Sequence, residues 1–343
     1  MEILPTAATF SQAGRLIMTA LILLACLTGI SGVANLTRSN PVFNRSTSYL
    51  LVVMNLVFVA GFLWICWFHY QIHTHFALEI PSDMAGWLNS RLEAINSRAA
   101  YSLPLYDPAN PPRYSIPVWI ENEKYYFWFM CYAIMVLTAH FRIKNHKFRA
   151  FLHLFLAAHV VILFVAADPF SSPLPKFSSE IAGWLGADHS TMSRFGQFMR
   201  LYPKMVFYYN AHYMWFHPPM LFLAYGCITL TFGTSVFMLA RRDLSMEILG
   251  YDFAKFGYFM LTLGMLLGYP WALQAWGPNW WWDPKICSSI MMWVIFTTYL
   301  HARLYVNKPW MWRFSSILGI ICFMAMVFTF LSSFYFPGEH TFR

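Results

Sequence analysis

Apolar residues in this chain gather in long, nearly unbroken runs, and polar residues are pushed into the stretches between them. Eight runs stand out, at roughly 14–36, 49–70, 124–141, 148–167, 217–240, 252–272, 285–306 and 314–334. A helix needs about 20 such residues to cross the hydrocarbon core of a bilayer, because only there are all its backbone groups bonded internally. The pattern therefore predicts an all-α fold, a polytopic transmembrane helical bundle of about eight membrane helices. The first run follows Arg15 and reaches about Leu36. It outlasts the roughly 7–15 apolar residues of a signal peptide, so it reads as a first membrane helix. No long polar linker interrupts the chain, and 1–343 reads as a single integral membrane domain. Segment 104–117 is rich in Pro and is expected to be irregular, whereas 82–98 and 177–201 mix aromatic and charged residues and are expected to be interfacial helices.

Composition agrees. Of 343 residues, 58% are hydrophobic and only 11% charged, against about a quarter charged in a soluble domain. A soluble enzyme is excluded. The net charge of +8 does not indicate nucleic acid, because the basic residues sit at the ends of apolar runs. They crowd the short loops 37–48, 142–149, 241–255 and 302–313, where the acids are Asp243, Glu247 and Asp252. The positive-inside rule puts those loops in the cytoplasm. Both termini, the loops 71–123 and 168–216, and segment 273–284 then face outward. The six cysteines lie in apolar segments without a C-x-x-C pair and are expected to be small packing residues.

Residues 276–285 read Trp-Gly-Pro-Asn-Trp-Trp-Trp-Asp-Pro-Lys. Tryptophans of an aromatic belt are usually scattered, whereas here four fall within seven residues beside one Asp. Their faces offer stacking area for a flat apolar ligand, with Asp283 and Lys285 as polar anchors and Gly277 allowing close approach. Two histidines at outer helix ends flank the segment, His217 and His340. His301 lies in the seventh run, and a titratable group inside a span is a functional candidate by default. His69 and His73 have i, i+4 spacing but no third ligand follows them, so an interfacial role is favoured over a metal site.

The run Trp276-Gly277-x-x-Trp280-x-Trp282-Asp283-Pro284 resembles the WWD motif of the heme-handling proteins of cytochrome c maturation, the CcsA/ResC type, with a likeness also to CcmF and CcmC. His217-Pro218-Pro219-Met220-Leu221 and the late Gly338-Glu339-His340 are similar to further segments of that family, and the likeness covers about 200–343. The resemblance implies a heme-handling core at 200–343, with outer-face loops forming a heme site. His217 and His340 are then the axial ligands of heme iron, and Trp276, Gly277, Trp280, Trp282 and Asp283 line the porphyrin. It implies heme b, one copy or two if His301 ligates a second heme within the membrane. The partner of His301 is left open among His140, His153, His159 and another chain. Arg194, Arg200, Lys204 and Lys285 are candidates to pair with the propionates.

The function implied is presentation of heme for thioether attachment to apocytochrome c, as a component of a cytochrome c synthase (heme lyase) complex. A CcsB/ResB-like subunit or other cytochrome maturation subunits would be the partners, in the lipid bilayer of a prokaryotic cytoplasmic membrane. No side chain is assigned a catalytic acid–base role. The alternatives are a b-type heme electron-transfer subunit that oxidises quinol, and a CcmC-like exporter that hands heme to a chaperone.

Overall fold

The computed structural model describes residues 3–37, 41–187, 191–278, 280–308 and 310–339. The long helices are α1 (Ile3–Thr37), α2 (Pro41–His75), α4 (Glu123–Arg142), α5 (His146–Ala166), α8 (Tyr213–Ala240), α9 (Leu244–Trp276), α10 (Pro284–Arg303) and α11 (Met311–Tyr335). Each of the eight apolar runs falls on one of them. Three shorter helices, α3 (Ala85–Asn96), α6 (Pro175–Gly186) and α7 (Thr191–Lys204), gather at one end of the bundle. The expected interfacial helix over 177–201 is thus two helices, and no strand is present among the described residues. Residues 101–117 carry no helix, as their prolines require.

Six of these helices, α1, α2, α5, α8, α9 and α11, are long and apolar enough to cross a membrane by length and composition. They make this a membrane protein. Helices α4 and α10 fall short of that measure because polar side chains interrupt them. Those groups are used in packing: Thr297 donates to the Tyr258 hydroxyl at 3.0 Å, and the Trp293 indole N–H donates to Thr262 at 2.8 Å. Such bonds between helices satisfy groups that hydrocarbon would leave orphaned.

Helix α8 is the hub, packed on α9, α11, α4 and α5, while α1, α2 and α5 close the far side. The most extensive packing is between α8 and α9, and small residues at heptad spacing support it. Gly250, Gly257 and Gly264 are all buried, two turns apart. A Cβ on Gly257 would stand 2.5 Å from Cys227 Cβ, one on Gly264 would stand 2.8 Å from Leu221, and one on Gly250 would run into Thr234. Without Cβ atoms the backbones can touch.

The end of the bundle that carries the basic loops is knitted by ion pairs. Glu247 meets Arg242 at 3.1 Å and the buried Arg303 at 3.3 Å, and Asp252 meets Arg142 at 3.2 Å. Here too lies a buried imidazole pair: Ser48 Oγ stands 2.8 Å from His140 Nε2, and His140 Nδ1 stands 3.1 Å from His153 Nε2. At the opposite end, the Glu121 carboxylate accepts from the amides of Lys176 (2.8 Å) and Phe177 (2.9 Å) and so anchors the start of α6. His69 and His73 each donate Nδ1–H to a carbonyl of the incoming loop, Ile116 and Tyr114, both at 2.9 Å. Their helical spacing serves to clasp that loop. Of the cysteines, Cys131, Cys227 and Cys322 are buried packing residues, whereas Cys26 and Cys287 are exposed.

Candidate functional site

His217 is placed in the second turn of α8, just before Pro218 and Pro219, which lie inside the helix and lack the amides that would bond the carbonyls of Met214 and Trp215; the Met214 carbonyl accepts instead from the Trp119 indole N–H. The His217 ring lies in the notch left by Gly264 and Gly268 on α9. Nδ1 is 2.6 Å from the Gly264 carbonyl, so it donates to that oxygen. A proton on Nδ1 leaves the lone pair on Nε2, the tautomer and orientation that an iron-ligating imidazole needs. The ring also runs nearly parallel to Trp271, centroids 6.3 Å apart at 22°.

Trp271 is the residue that joins the site. It is buried, its indole N–H donates to the Phe207 carbonyl at 3.3 Å, and its ring meets Trp276 edge-on at 4.6 Å. Phe207 belongs to a π-helical turn, Met205–Tyr209. His217, Trp271 and Trp276 therefore form one continuous ring cluster across α8 and α9. The sequence signal for Trp271 was its place one and a half turns before Trp276 on the same helix.

The tryptophan segment divides in two. Trp276 and Trp280 turn inward, Trp280 packing edge-on against Tyr269 at 5.2 Å. Trp281 and Trp282 stack on each other at 4.3 Å and 28°, and Trp282 is 68% exposed. Trp280–Trp282 form a single 3-10 turn. Gly277 ends α9 with φ of 77°, a conformation that L side chains rarely adopt, and a Cβ there would meet open space. That φ gives Gly277 a role in backbone geometry at the end of α9. Asp283 is buried and caps α10, accepting from the amides of Lys285 (2.9 Å) and Ile286 (3.3 Å), with Pro284 in the first helical position. The Asp-Pro pair was a readable helix start.

The C-terminal tail returns to this point, with Gly338 against Asp283 and Pro284. His340 lies outside the described residues. His301 lies near the opposite end, exposed on α10, its Nδ1 donating to the Thr297 carbonyl at 2.9 Å. Helix α10 packs on α11 and α9, whereas His140, His153 and His159 sit on α4 and α5. His159 is enclosed by Phe129, Tyr132 and Phe155 and bonds to its own helix. A cavity of about 480 Å³ opens beside the π-helical turn, between Pro112, Arg113, Tyr202, Met205 and Gln274, and none of the sequence-predicted site residues lines it. Among the described residues no group of three or more His, Cys, Asp and Glu side chains is arranged to hold a metal ion. An iron bound here would bring its own equatorial ligands, which suits a site that offers single imidazoles.

The chain resembles known proteins. It is 40% identical over 92 residues to the cytochrome c biogenesis protein CcsA of Cyanidium caldarium, 24% of this chain and 31% of that protein. It is 35% identical over 117 residues to the CcsA of Gloeobacter violaceus, 33% of each chain. The matched stretches thus span about a third of the length of these curated relatives. A solved structure, the cytochrome c heme lyase CcmF, superposes on 96% of this chain and 47% of its own with a TM-score of 0.60 at 16% identity, a likeness of fold. A family model described as cytochrome C assembly protein matches residues 119–340, from just before α4 past the end of α11. With that match taking in the ring cluster, the tryptophan turn and the helices that hold them, this chain belongs to the cytochrome c assembly protein family.

Proposed function

We propose that this chain binds heme b at the end of the bundle that carries His217 and the tryptophan turn, and presents it for covalent attachment to apocytochrome c. The observation that carries this reading is the setting of His217. Its Nδ1–H is held by the Gly264 carbonyl and its ring is held by α9 and Trp271, so Nε2 is oriented in advance as an axial ligand. His340 supplies the second axial position in this reading. Trp276, Trp280 and Trp282 provide indole surface against the macrocycle, and Gly277 and Asp283 set the loop that carries them.

Heme is the cargo here, and its vinyl groups supply the carbon atoms to which cysteine thiols add to form thioethers. The chain's own contribution is orientation, exclusion of water by the indoles, and saturation of the iron until handover. The core of the activity is assigned to residues 200–343 within one membrane domain. The basic loops are assigned to the cytoplasm of a prokaryotic cell, with the termini and the tryptophan turn on the outer face of the cytoplasmic membrane. A CcsB/ResB-like subunit is the proposed partner. His301 faces outward from α10 and is assigned to a second heme whose other ligand comes from another chain.

Deleting the gene tests the role. The expected result is exported apocytochromes without attached heme, with the purified protein showing a Soret band and a pyridine hemochrome of heme b. Normal heme staining of c-type cytochromes in the deletion strain, with a quinol-reducible heme in the purified protein, would replace this reading by a quinol-oxidising b-type subunit. Co-purification with transporter subunits would replace it by heme export.

A further inference from the structure

Three side-chain amides at the end of the bundle that gathers α3, α6 and α7 each clasp a stretch of loop main chain. Asn96 donates to the Leu103 carbonyl and accepts from the Leu103 amide, both at 2.8 Å. Asn89 does the same at Tyr106, donating at 2.9 Å and accepting at 2.7 Å. Asn210 donates to the Arg113 carbonyl at 2.8 Å and accepts from the Ser115 amide at 2.7 Å. A carboxamide carries donors and an acceptor side by side, which complements the C=O and N–H of a peptide chain.

Gln274 is a fourth such amide with no chain in its grip. It lies half-buried on the last turn of α9, between Trp271 and Trp276 of the ring cluster. Its side chain makes no hydrogen bond among the described residues, and it lines the cavity of about 480 Å³ beside the π-helical turn. That volume is within the range of ligand pockets, about 300–1,000 Å³. The walls of the cavity are already built. One is the loop 104–113, fastened by Asn89 and Asn210 and by the Tyr202 hydroxyl, which donates to the Pro104 carbonyl at 2.9 Å. The other is the π-helical turn, closed by the Asn210 amide on the Met205 carbonyl at 2.7 Å. Met205 and Val206 of that turn line the cavity, and the carbonyl of the next residue, Phe207, holds the Trp271 indole. Tyr213, one turn before His217, lines it too. The cavity thus runs alongside the ring cluster, with apolar side chains on its walls and an unfilled amide clasp on its floor. A lipid chain would leave that amide unsatisfied, whereas a polypeptide in extended form satisfies both its donor and its acceptor.

We infer that this cavity seats the acceptor polypeptide, with Gln274 clasping its main chain beside the ring cluster. This rests on the heme-binding reading and names where the second substrate of that reading lies. The test uses the full-length chain in detergent, loaded with hemin, and a short fluorescent peptide with a central Cys-x-x-Cys-His, both cysteines alkylated and one end carrying a benzophenone. Wild-type chain is expected to bind the peptide, followed by anisotropy, and on illumination to be labelled within 104–113 or 205–213. Gln274→Leu is expected to bind it about tenfold more weakly, the scale of a lost hydrogen-bonded pair, with an unchanged Soret band. Labelling of wild type only outside those two segments, a result that needs no variant, overturns the seat and leaves heme binding standing. An unchanged peptide affinity in Gln274→Leu overturns the clasp. Displacement of the peptide by phosphatidylcholine overturns the proposal in favour of a lipid site. A chain that binds no hemin overturns the heme reading itself, whichever residues the peptide labels.

Discussion

The imidazole of His217 occupies the space that a side chain on Gly268 would fill. A Cβ built on Gly268 would stand 2.6 Å from both Cε1 and Nδ1 of the ring. Gly268→Ala should therefore push the ring off the Gly264 carbonyl. The expected result is a shifted or lost Soret band with a stability loss of about 1–3 kcal/mol, the usual cost of overpacking. Gly257→Ala meets Cys227 at 2.5 Å, on the same helix pair but away from the ring. It should cost similar stability and leave the spectrum alone. Identical spectra for the two variants would remove the link between the notch and iron ligation.

His217→Ala and His340→Ala should each lower heme content by about tenfold or more, since each removes one axial bond of roughly 1.4 kcal/mol or greater. Imidazole added at millimolar concentration should restore part of the band. Full occupancy and an unchanged spectrum in both variants would dismiss these ligands.

The anchor at Glu121 predicts a pH effect. Burial pushes its carboxyl above the ordinary value of 4.5, opposed by the amides of Lys176 and Phe177. A carboxyl with a raised folded-state pKa holds its proton more tightly when folded. The folded form is thus favoured below pH 4.5, and that advantage fades as pH rises through the raised value. Thermal melting followed through Trp184, buried on α6, should show this decline. Glu121→Gln should abolish it, and a variant that keeps the slope would assign the effect to another group.

Asp243 predicts the opposite sign. It caps α9, accepting from the Ser245 amide at 2.9 Å, the Ser245 hydroxyl at 2.6 Å and the Met246 amide at 3.3 Å. The Ser245 hydroxyl above all, with the helix amides, holds its carboxyl below the ordinary 3.8. The cap's contribution is present above pH 3.8 and is lost as pH falls through the lowered value. Asp243→Ala should cost about 1 kcal/mol at neutral pH. Equal melting temperatures of variant and wild type at pH 7 would show the cap to be idle.

The bundle was legible because membrane helices announce themselves by local composition. The eight runs 14–36 to 314–334 fall on eight long helices, and the prolines of 104–117 mark a loop. The family was legible for a similar reason, since the WWD run is contiguous. What escaped depended on partners far along the chain. Nothing near His217 signals the Gly264 carbonyl 47 residues away, and Trp271 gains its meaning only once α8 lies beside α9. Asp283-Pro284 spells a helix start as well as offering a polar anchor, and two demands on one short segment cannot be separated by pattern. The split of 177–201 follows from the break between α6 and α7, which aromatic and charged composition does not mark.

The glycine heptad on α9 has a mechanical consequence. A slip of one turn, about 5.4 Å, would in one direction set Met246, Phe253 and Met260 where Gly250, Gly257 and Gly264 now let α8 in, and in the other would set Leu261 where Gly257 now stands, whereas a slide of two turns would bring glycines of the stripe back into register. The two helices are therefore keyed to a single setting, like a pin tumbler with one cut. The vertical offset between the imidazole on one and the indoles on the other is held as a gauge length. Any movement that loads or unloads this end must come from the tail, the tryptophan turn or α10, not from sliding of the α8–α9 pair.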